Sequence, residues 1–245
     1  MKFLLTLIGL ISMPSFAASA GDLQTNDLTG ISFWLVTAAM LAATVFFFAE
    51  RDQVKGKWKT SLSVAGLVTG VAFWHYLYMR GVWIETGESP TVYRYIDWLI
   101  TVPLQIIEFY LILRVCTNVS SGLFWRLLAA SLVMLIAGFM GETGYNEVIC
   151  FVIGMAGWLY IIYEVFTGEA GKLNASSGNA AAQQAFSTIR LIVTVGWAIY
   201  PIGYFLTMGT GADLAGANLI YNLADFINKI AFGLAIWAAA VSDSE

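Results

Sequence analysis

The fold class predicted by this sequence is an all-α membrane protein, a bundle of seven transmembrane helices, and three observations predict it. Of its 245 residues 59% are hydrophobic and only 11% charged, where a soluble domain carries about 25% charged residues. Apolar runs of about 20 residues, the length that crosses a bilayer, recur along the chain. The charges that remain collect mostly in the short breaks between those runs.

Taken in order, the first stretch, MKFLLTLIGLISMPSFAASA, has one basic residue, Lys2, then an apolar core and the small-residue ending Ala18-Ser19-Ala20. Its core of roughly eleven residues is too short to span and has the layout of a signal peptide. Residues 1–20 are therefore expected to be cleaved, leaving 21–245 as one seven-helix domain. Spans are expected at 30–49, 60–79, 91–113, 122–140, 147–166, 187–208 and 217–240. Lys and Arg collect on the cytoplasmic side of membrane proteins. Here Arg51, Lys55, Lys57 and Lys59 follow span one, Arg114 and Arg126 bound the loop after span three, and Lys172 and Arg190 follow span five. The alternate loops carry Glu85 and Glu88, Glu142 and Glu147, then Asp213, with only Arg80 against the trend. The N-terminus is expected outside and the C-terminus in the cytoplasm.

The segment GEAGKLNASSGNAAAQQ, 168–184, is rich in Gly, Ala, Ser and Asn and is expected to be a flexible connection. Cys116 and Cys150 fall at opposite ends of spans, which argues against a mutual disulfide, and no metal-ligand spacing occurs. A net charge of −4 with no basic stripe and no glycine-rich phosphate loop gives no reason to expect nucleic acid as a partner.

Among the ionisable residues inside the spans are His75, Arg94, Asp97, Glu108, Asp225 and Lys229. In hydrocarbon each must face the bundle interior and find a partner, and such residues mark function by default. Asp97 and Glu108, eleven positions apart, return to within roughly 20° of one face while separated by about 16 Å along the axis. Thr101 and Gln105 continue that face as a polar stripe. Arg94 precedes Asp97 by three residues, a contact spacing. Asp225 and Lys229, four apart, share a face of span seven, so that one buried amine meets two buried acids. A static ion network fixing helix register would leave Glu108 unexplained, because no cation lies at its depth. Burial without a cation favours the neutral form of an acid, which makes Glu108 a proton store.

The pattern resembles the microbial rhodopsins, and among them the proteorhodopsins. RYIDWLITVPLQIIEFYLIL (94–113), with Asp97, Thr101 and Glu108, is similar to that family's third helix; WAIYPIGYF (197–205) is similar to the sixth and NLADFINK (222–229) to the seventh. The resemblance implies that Lys229 binds all-trans retinal covalently as a Schiff base, with Asp97 and Asp225 as counter-ions and Arg94 balancing the cluster. It implies a light-driven outward proton pump, a transporter and not an enzyme, in which Asp97 accepts the proton, Glu108 donates its replacement and Thr101 supports them. Trp98, Trp197, Tyr200 and Tyr204 are expected as pocket walls, the last three recurring on one face of span six beside a kink at Pro201. The resemblance places His75 beside Asp97 and near a neighbouring protomer through Trp34. It also suggests rings of five or six copies in the inner membrane of a bacterium, with Trp34, Glu50, Arg51 and Asp52 as candidate contacts among membrane lipid.

A sensory photoreceptor that signals to a transducer is the rival reading, against which the acid at Glu108 argues. Sodium or chloride pumps of this fold carry replacements at the positions of Asp97, Thr101 and Glu108, and those replacements are absent here. A small-molecule transporter or ligand receptor has no evident use for Lys229 with these acids. Glu142 is expected as a solvated loop acid. The resemblance implies that Gln105 lies near the retinal at a position that separates green- from blue-absorbing members, where an amide can stabilise charge localised at the Schiff base, and the blue-absorbing kind is therefore expected. Replacement Gln105→Leu is expected to move the absorption maximum to the red in a visible spectrum of the pigment; an unmoved band would remove Gln105 from that role.

Overall fold

A computed structural model describes residues 23–207 and 214–245. The expected signal peptide at 1–20 and the loop acid Asp213 lie outside the described residues. The described chain is helical throughout: α1 (Leu28–Glu50), α2 (Trp58–Thr86), α3 (Thr91–Cys116), α4 (Ser121–Glu142), α5 (Glu147–Phe166), α6 (Glu169–Ala175), α7 (Ala180–Leu191), α8 (Ile199–Thr207) and α9 (Leu214–Ser242). A π-turn at Ile192–Gly196 joins α7 to α8, which together form span six. Seven helical segments are long and apolar enough to cross a membrane, and the chain is a multi-pass membrane protein.

Short polar groups at the helix starts fix where the spans begin. The Asp27 side chain accepts from the Gly30 amide at 2.8 Å and starts α1, satisfying a donor that the first turn leaves free. The same carboxylate accepts from Trp83 Nε1 at 3.2 Å, so the cap also joins α1 to α2. Asn146 and Asn179 start α5 and α7 in the same way, at 3.0 and 2.8 Å.

The helices form a closed ring in which α3 packs on α2, α4 and α7, while α9 packs on α1, α2, α7 and α8. Lipid-facing positions such as Leu35, Val45, Val133, Val152, Leu159 and Val195 are exposed and apolar, whereas Arg94, Asp97, Gln105, Glu108, Asp225 and Lys229 are buried. With lipid outside there is no hydrophobic force between helices, so close packing of small residues holds them together. At Gly157 of α5 a Cβ would stand 2.8 Å from the Ala130 carbonyl of α4, so only glycine permits this approach. The far end of α9 is clasped by three neighbours: Trp58 and Asn179 donate to the Asp243 carboxylate at 2.7 and 2.8 Å, and the Lys55 amide donates to Ser244 Oγ at 2.9 Å.

The segment 168–184 differs from the flexible connection expected. It forms α6 and the first turns of α7, with Ala170, Gly171 and Asn174 buried. Buried Glu164 accepts from the Ala170 amide at 3.2 Å, and Arg126 of α4 bonds Glu169 at 2.6 Å and lies 3.6 Å from Glu164. Composition alone does not reveal these anchors, because they lie outside the segment. Cys116 and Cys150 are both free, at the C-terminal end of α3 and in the first turn of α5.

Candidate functional site

Lys229 sits in the interior of α9, 2% exposed, with Asp225 one turn before it and Asp97 of α3 opposite, both at 0%. Its Nζ pairs with Asp97 Oδ2 and, at 2.9 Å, with Asp225 Oδ2. The amine and the two acids expected to meet across the interior do so.

The two carboxylates are not equivalent. Asp225 accepts from the Tyr200 hydroxyl at 2.7 Å, the Tyr76 hydroxyl at 2.9 Å and Trp98 Nε1 at 3.1 Å, besides Lys229. Asp97 accepts at Oδ2 from Lys229, while its Oδ1 is buried and has no hydrogen-bond partner among the described residues. A carboxylate offers about four acceptor sites, and donors directed at it stabilise the charged form. Asp225 is fully engaged as an anion; Asp97 has an oxygen free to carry a proton.

Arg94 is buried, but its guanidinium does not pair with Asp97 as the spacing suggested. Its Nη2 donates to Asn218 Oδ1 at 2.9 Å and to Asn222 Oδ1 at 3.0 Å, and Nη1 lies 3.5 Å from the Tyr76 hydroxyl. Neutral amides of α9 hold it by geometry. Thr101 donates to the Asp97 main-chain carbonyl at 2.9 Å and so braces α3 without touching the carboxylate. His75 is half-buried, and its Nδ1 lies 2.9 Å from the Val71 carbonyl; among the described residues it makes no hydrogen bond to Asp97.

A cavity opens beside Lys229, and Trp98, Gln105, Trp197, Tyr200 and Tyr204 are among the residues that line it. Its walls are mostly apolar, as those of small-molecule sites are. Gln105 donates through Nε2 to the Asn228 carbonyl at 3.3 Å, next to Lys229 in the chain. Glu142, expected in a solvated loop, instead ends α4 half-buried, accepts from the Tyr95 hydroxyl at 2.8 Å and lines this same cavity.

Glu108 is 1% exposed, and neither of its oxygens has a hydrogen-bond partner among the described residues. Ser61 of α2 is buried as well, and its hydroxyl has no hydrogen-bond partner among the described residues. Of the expected oligomer contacts, Trp34 stacks on Arg80 at 3.7 Å and Glu50 accepts from Trp237 Nε1 at 2.9 Å, whereas Arg51 and Asp52 remain 43% and 78% exposed.

Several residues of the site escaped the sequence reading. Asn218, Asn222, Asp225 and Lys229 recur at spacings of four, three and four, so one face of α9 carries the whole row, and that periodicity is readable. Tyr76 carries no such signal, because an aromatic residue in a membrane helix is ordinary. A buried carboxyl without partners costs stability, whereas an apolar side chain of similar shape in its place is neutral or stabilising. Glu108→Met is therefore expected to raise the thermal unfolding midpoint of the protein in detergent; a clear fall would show that Glu108 contributes to the packing.

The description "bacteriorhodopsin-like protein" belongs to a family model that matches residues 27–243. A blue-light absorbing proteorhodopsin of Gamma-proteobacterium Hot 75m4 is 62% identical over 99% of this chain and 98% of its own length. A green-light absorbing proteorhodopsin of Gamma-proteobacterium EBAC31A08 is 60% identical over 100% and 99%. The crystal structure of a blue light-absorbing proteorhodopsin from Med12 superimposes with a TM-score of 0.77 at 64% identity, covering 88% of this chain and 98% of that one. With the match extending over every described span, the chain belongs to the bacteriorhodopsin-like family, on its proteorhodopsin branch.

Proposed function

We propose that this protein is a light-driven outward proton pump of the bacterial inner membrane, with its N-terminus outside and its C-terminus in the cytoplasm. The observation that carries the reading is the inequality of the acids: Asp225 is saturated by four donors, Asp97 keeps a free oxygen, and Glu108 is buried without a partner.

The cavity fits all-trans retinal. Its walls are apolar and aromatic, and it ends at one buried primary amine beside two carboxylates. Trp98, Trp197, Tyr200 and Tyr204 would hold the polyene, and Lys229 Nζ would bind its aldehyde carbon. Bound there as a Schiff base, retinal supplies the absorption of light and the change of shape that alters proton affinity at the nitrogen.

The rest is the work of the chain. Asp97, facing Lys229 Nζ through Oδ2, takes the proton on the outward side. Asp225, held by Tyr76, Tyr200 and Trp98, keeps its negative charge throughout and stabilises positive charge at Nζ. Arg94, fixed by Asn218 and Asn222, balances the two acids. Glu108 holds a proton in an apolar setting on the cytoplasmic side and later returns it toward Nζ. About 16 Å of helix separates Asp97 from Glu108, so the two acids cannot exchange a proton directly. Transport therefore has a direction. Gln105, with its amide at the cavity wall beside Lys229, supports the blue-absorbing assignment. His75, near Asp97, is the candidate to tune that acid. Asp52, the most exposed of the four candidate contacts, is the group best placed to join copies in a ring, while Trp34, Glu50 and Arg51 also bond within the chain.

Illumination of retinal-loaded cells in unbuffered medium is expected to acidify the medium, and a protonophore is expected to abolish the signal. A coloured pigment that moves no protons would transfer the assignment to a sensory photoreceptor. Asp97→Asn is expected to keep colour and lose pumping, so substantial outward transport by that variant would overturn its role as acceptor. For Glu108→Gln, flash spectroscopy should show normal loss of the proton from the nitrogen and recovery slowed by about a hundredfold or more, the scale of a lost general acid. Unchanged recovery would remove it as donor.

A further inference from the structure

Span six is irregular where α7 passes into α8, and the irregularity leaves two carbonyls without backbone donors. The Trp197 amide bonds the Ile192 carbonyl at 3.1 Å, five residues back, so the Val193 carbonyl loses its usual donor. The Tyr200 amide bonds the Trp197 carbonyl at 3.1 Å, three residues back, and the next candidate donor for Gly196 is Pro201, which has no N–H. Buried carbonyls without partners are costly. Side chains from neighbouring spans supply both donors. Trp158 Nε1 of α5 reaches Val193 at 3.0 Å, and Asn228 Nδ2 of α9 reaches Gly196 at 3.0 Å.

Asn228 does more than fill a vacancy. It is 1% exposed, and the same Nδ2 approaches the Tyr200 hydroxyl at 3.4 Å. That hydroxyl donates onward to Asp225 at 2.7 Å. The donors run in one sense, from Asn228 to Tyr200 to Asp225, with the second Asn228 proton on Gly196. Asn228's own carbonyl accepts from Gln105, which ties α3 into the same group. At Gly196 a Cβ would run into the Asn228 side-chain oxygen and lie 2.9 Å from its Cγ, so the clamp needs glycine there. π-turns are often found at functional sites, and this one is fastened to the residue that precedes Lys229.

We infer that Asn228 is a positioning residue that fastens the π-turn of span six to Tyr200 and Asp225, so that a change of charge around Lys229 is passed to span six. The inference rests on the proposed pump for its role in the cycle, but the clamp itself is made by protein groups alone. Removal of the side chain frees the Gly196 carbonyl and loosens Tyr200; a Cβ at Gly196 expels the same side chain by a different route.

The test is a two-residue cycle of Asn228→Ala, Gly196→Ala and the double variant, with Asn228→Leu as a substitute of similar volume that has no donor. Amide hydrogen exchange of residues 192–205 is followed in lipid nanodiscs without retinal. Recovery kinetics and the absorption maximum are followed after loading. Each single variant is expected to speed exchange at the π-turn by about five- to tenfold, the scale of one lost buried hydrogen bond, and to shift the absorption maximum and the recovery rate. The double variant is expected to do no more than Asn228→Ala alone, since the three atoms nearest the added Cβ all belong to the Asn228 amide. Asn228→Leu is expected to behave as Asn228→Ala does. Exchange in α1 and α2 serves as the check that the bundle is intact. Unchanged exchange at the π-turn in Asn228→Ala and Asn228→Leu would overturn the clamp even if the pigment still pumps, and so would an effect of Gly196→Ala that is as large without Asn228 as with it. A chain that takes up no retinal would defeat the pump reading and leave the exchange cycle to decide the clamp.

Discussion

A positive nitrogen in hydrocarbon must be neutralised where it stands, and the rest of the interior is arranged around that requirement. Two carboxylates on Lys229 satisfy it in excess. Two acids and one cation would leave a net negative centre, and Arg94 supplies the second positive charge without touching either acid. A guanidinium held by neutral amides contributes its field and not a contact, which leaves Asp97 uncommitted on one oxygen. Had Arg94 paired with Asp97 directly, that oxygen would be occupied, and proton uptake would require breaking an ion pair buried in low dielectric.

The sequence made the frame and the charged core legible because both are consequences of what a bilayer forbids. Apolar runs of the right length must be spans, and any charge inside one must face another. Hence Asp225 and Lys229 could be placed on one face from helical spacing, and Asp97 opposite them from its depth in a span that runs the same way. Polar contacts whose partners are neutral were harder to see. Arg94 chooses between a carboxylate three residues away and amides on another helix, and only the three-dimensional position of α9 decides it. Asn228 reads as one more polar residue beside a lysine, since its role depends on a backbone irregularity in span six that no side-chain pattern displays. The segment after α5 misled for the opposite reason: its own composition is that of a loose linker, and what orders it are Arg126 and Glu164 in the preceding spans.

The interior also shows where stability has been given up. Glu108, Asp97 Oδ1 and Arg94 Nε are buried polar groups without hydrogen bonds among the described residues, and each costs on the order of 1–3 kcal/mol. They lie along α3, the helix that carries both acids of the proposed proton path. Compensation comes from close packing elsewhere, as at the α4 and α5 contact through Gly157, and from the cap at Asp27 that serves two helices at once.

The clasp on Asp243 and Ser244 gives the bundle a mechanical asymmetry. α9 is pinned at its far end by Trp58, Asn179 and Lys55. Span six, interrupted by a turn whose carbonyls depend on borrowed donors, is the compliant member beside it. In the proposed cycle a displacement at Lys229 would therefore fall on the softer neighbour, with the fixed helix as the anvil against which that neighbour bends.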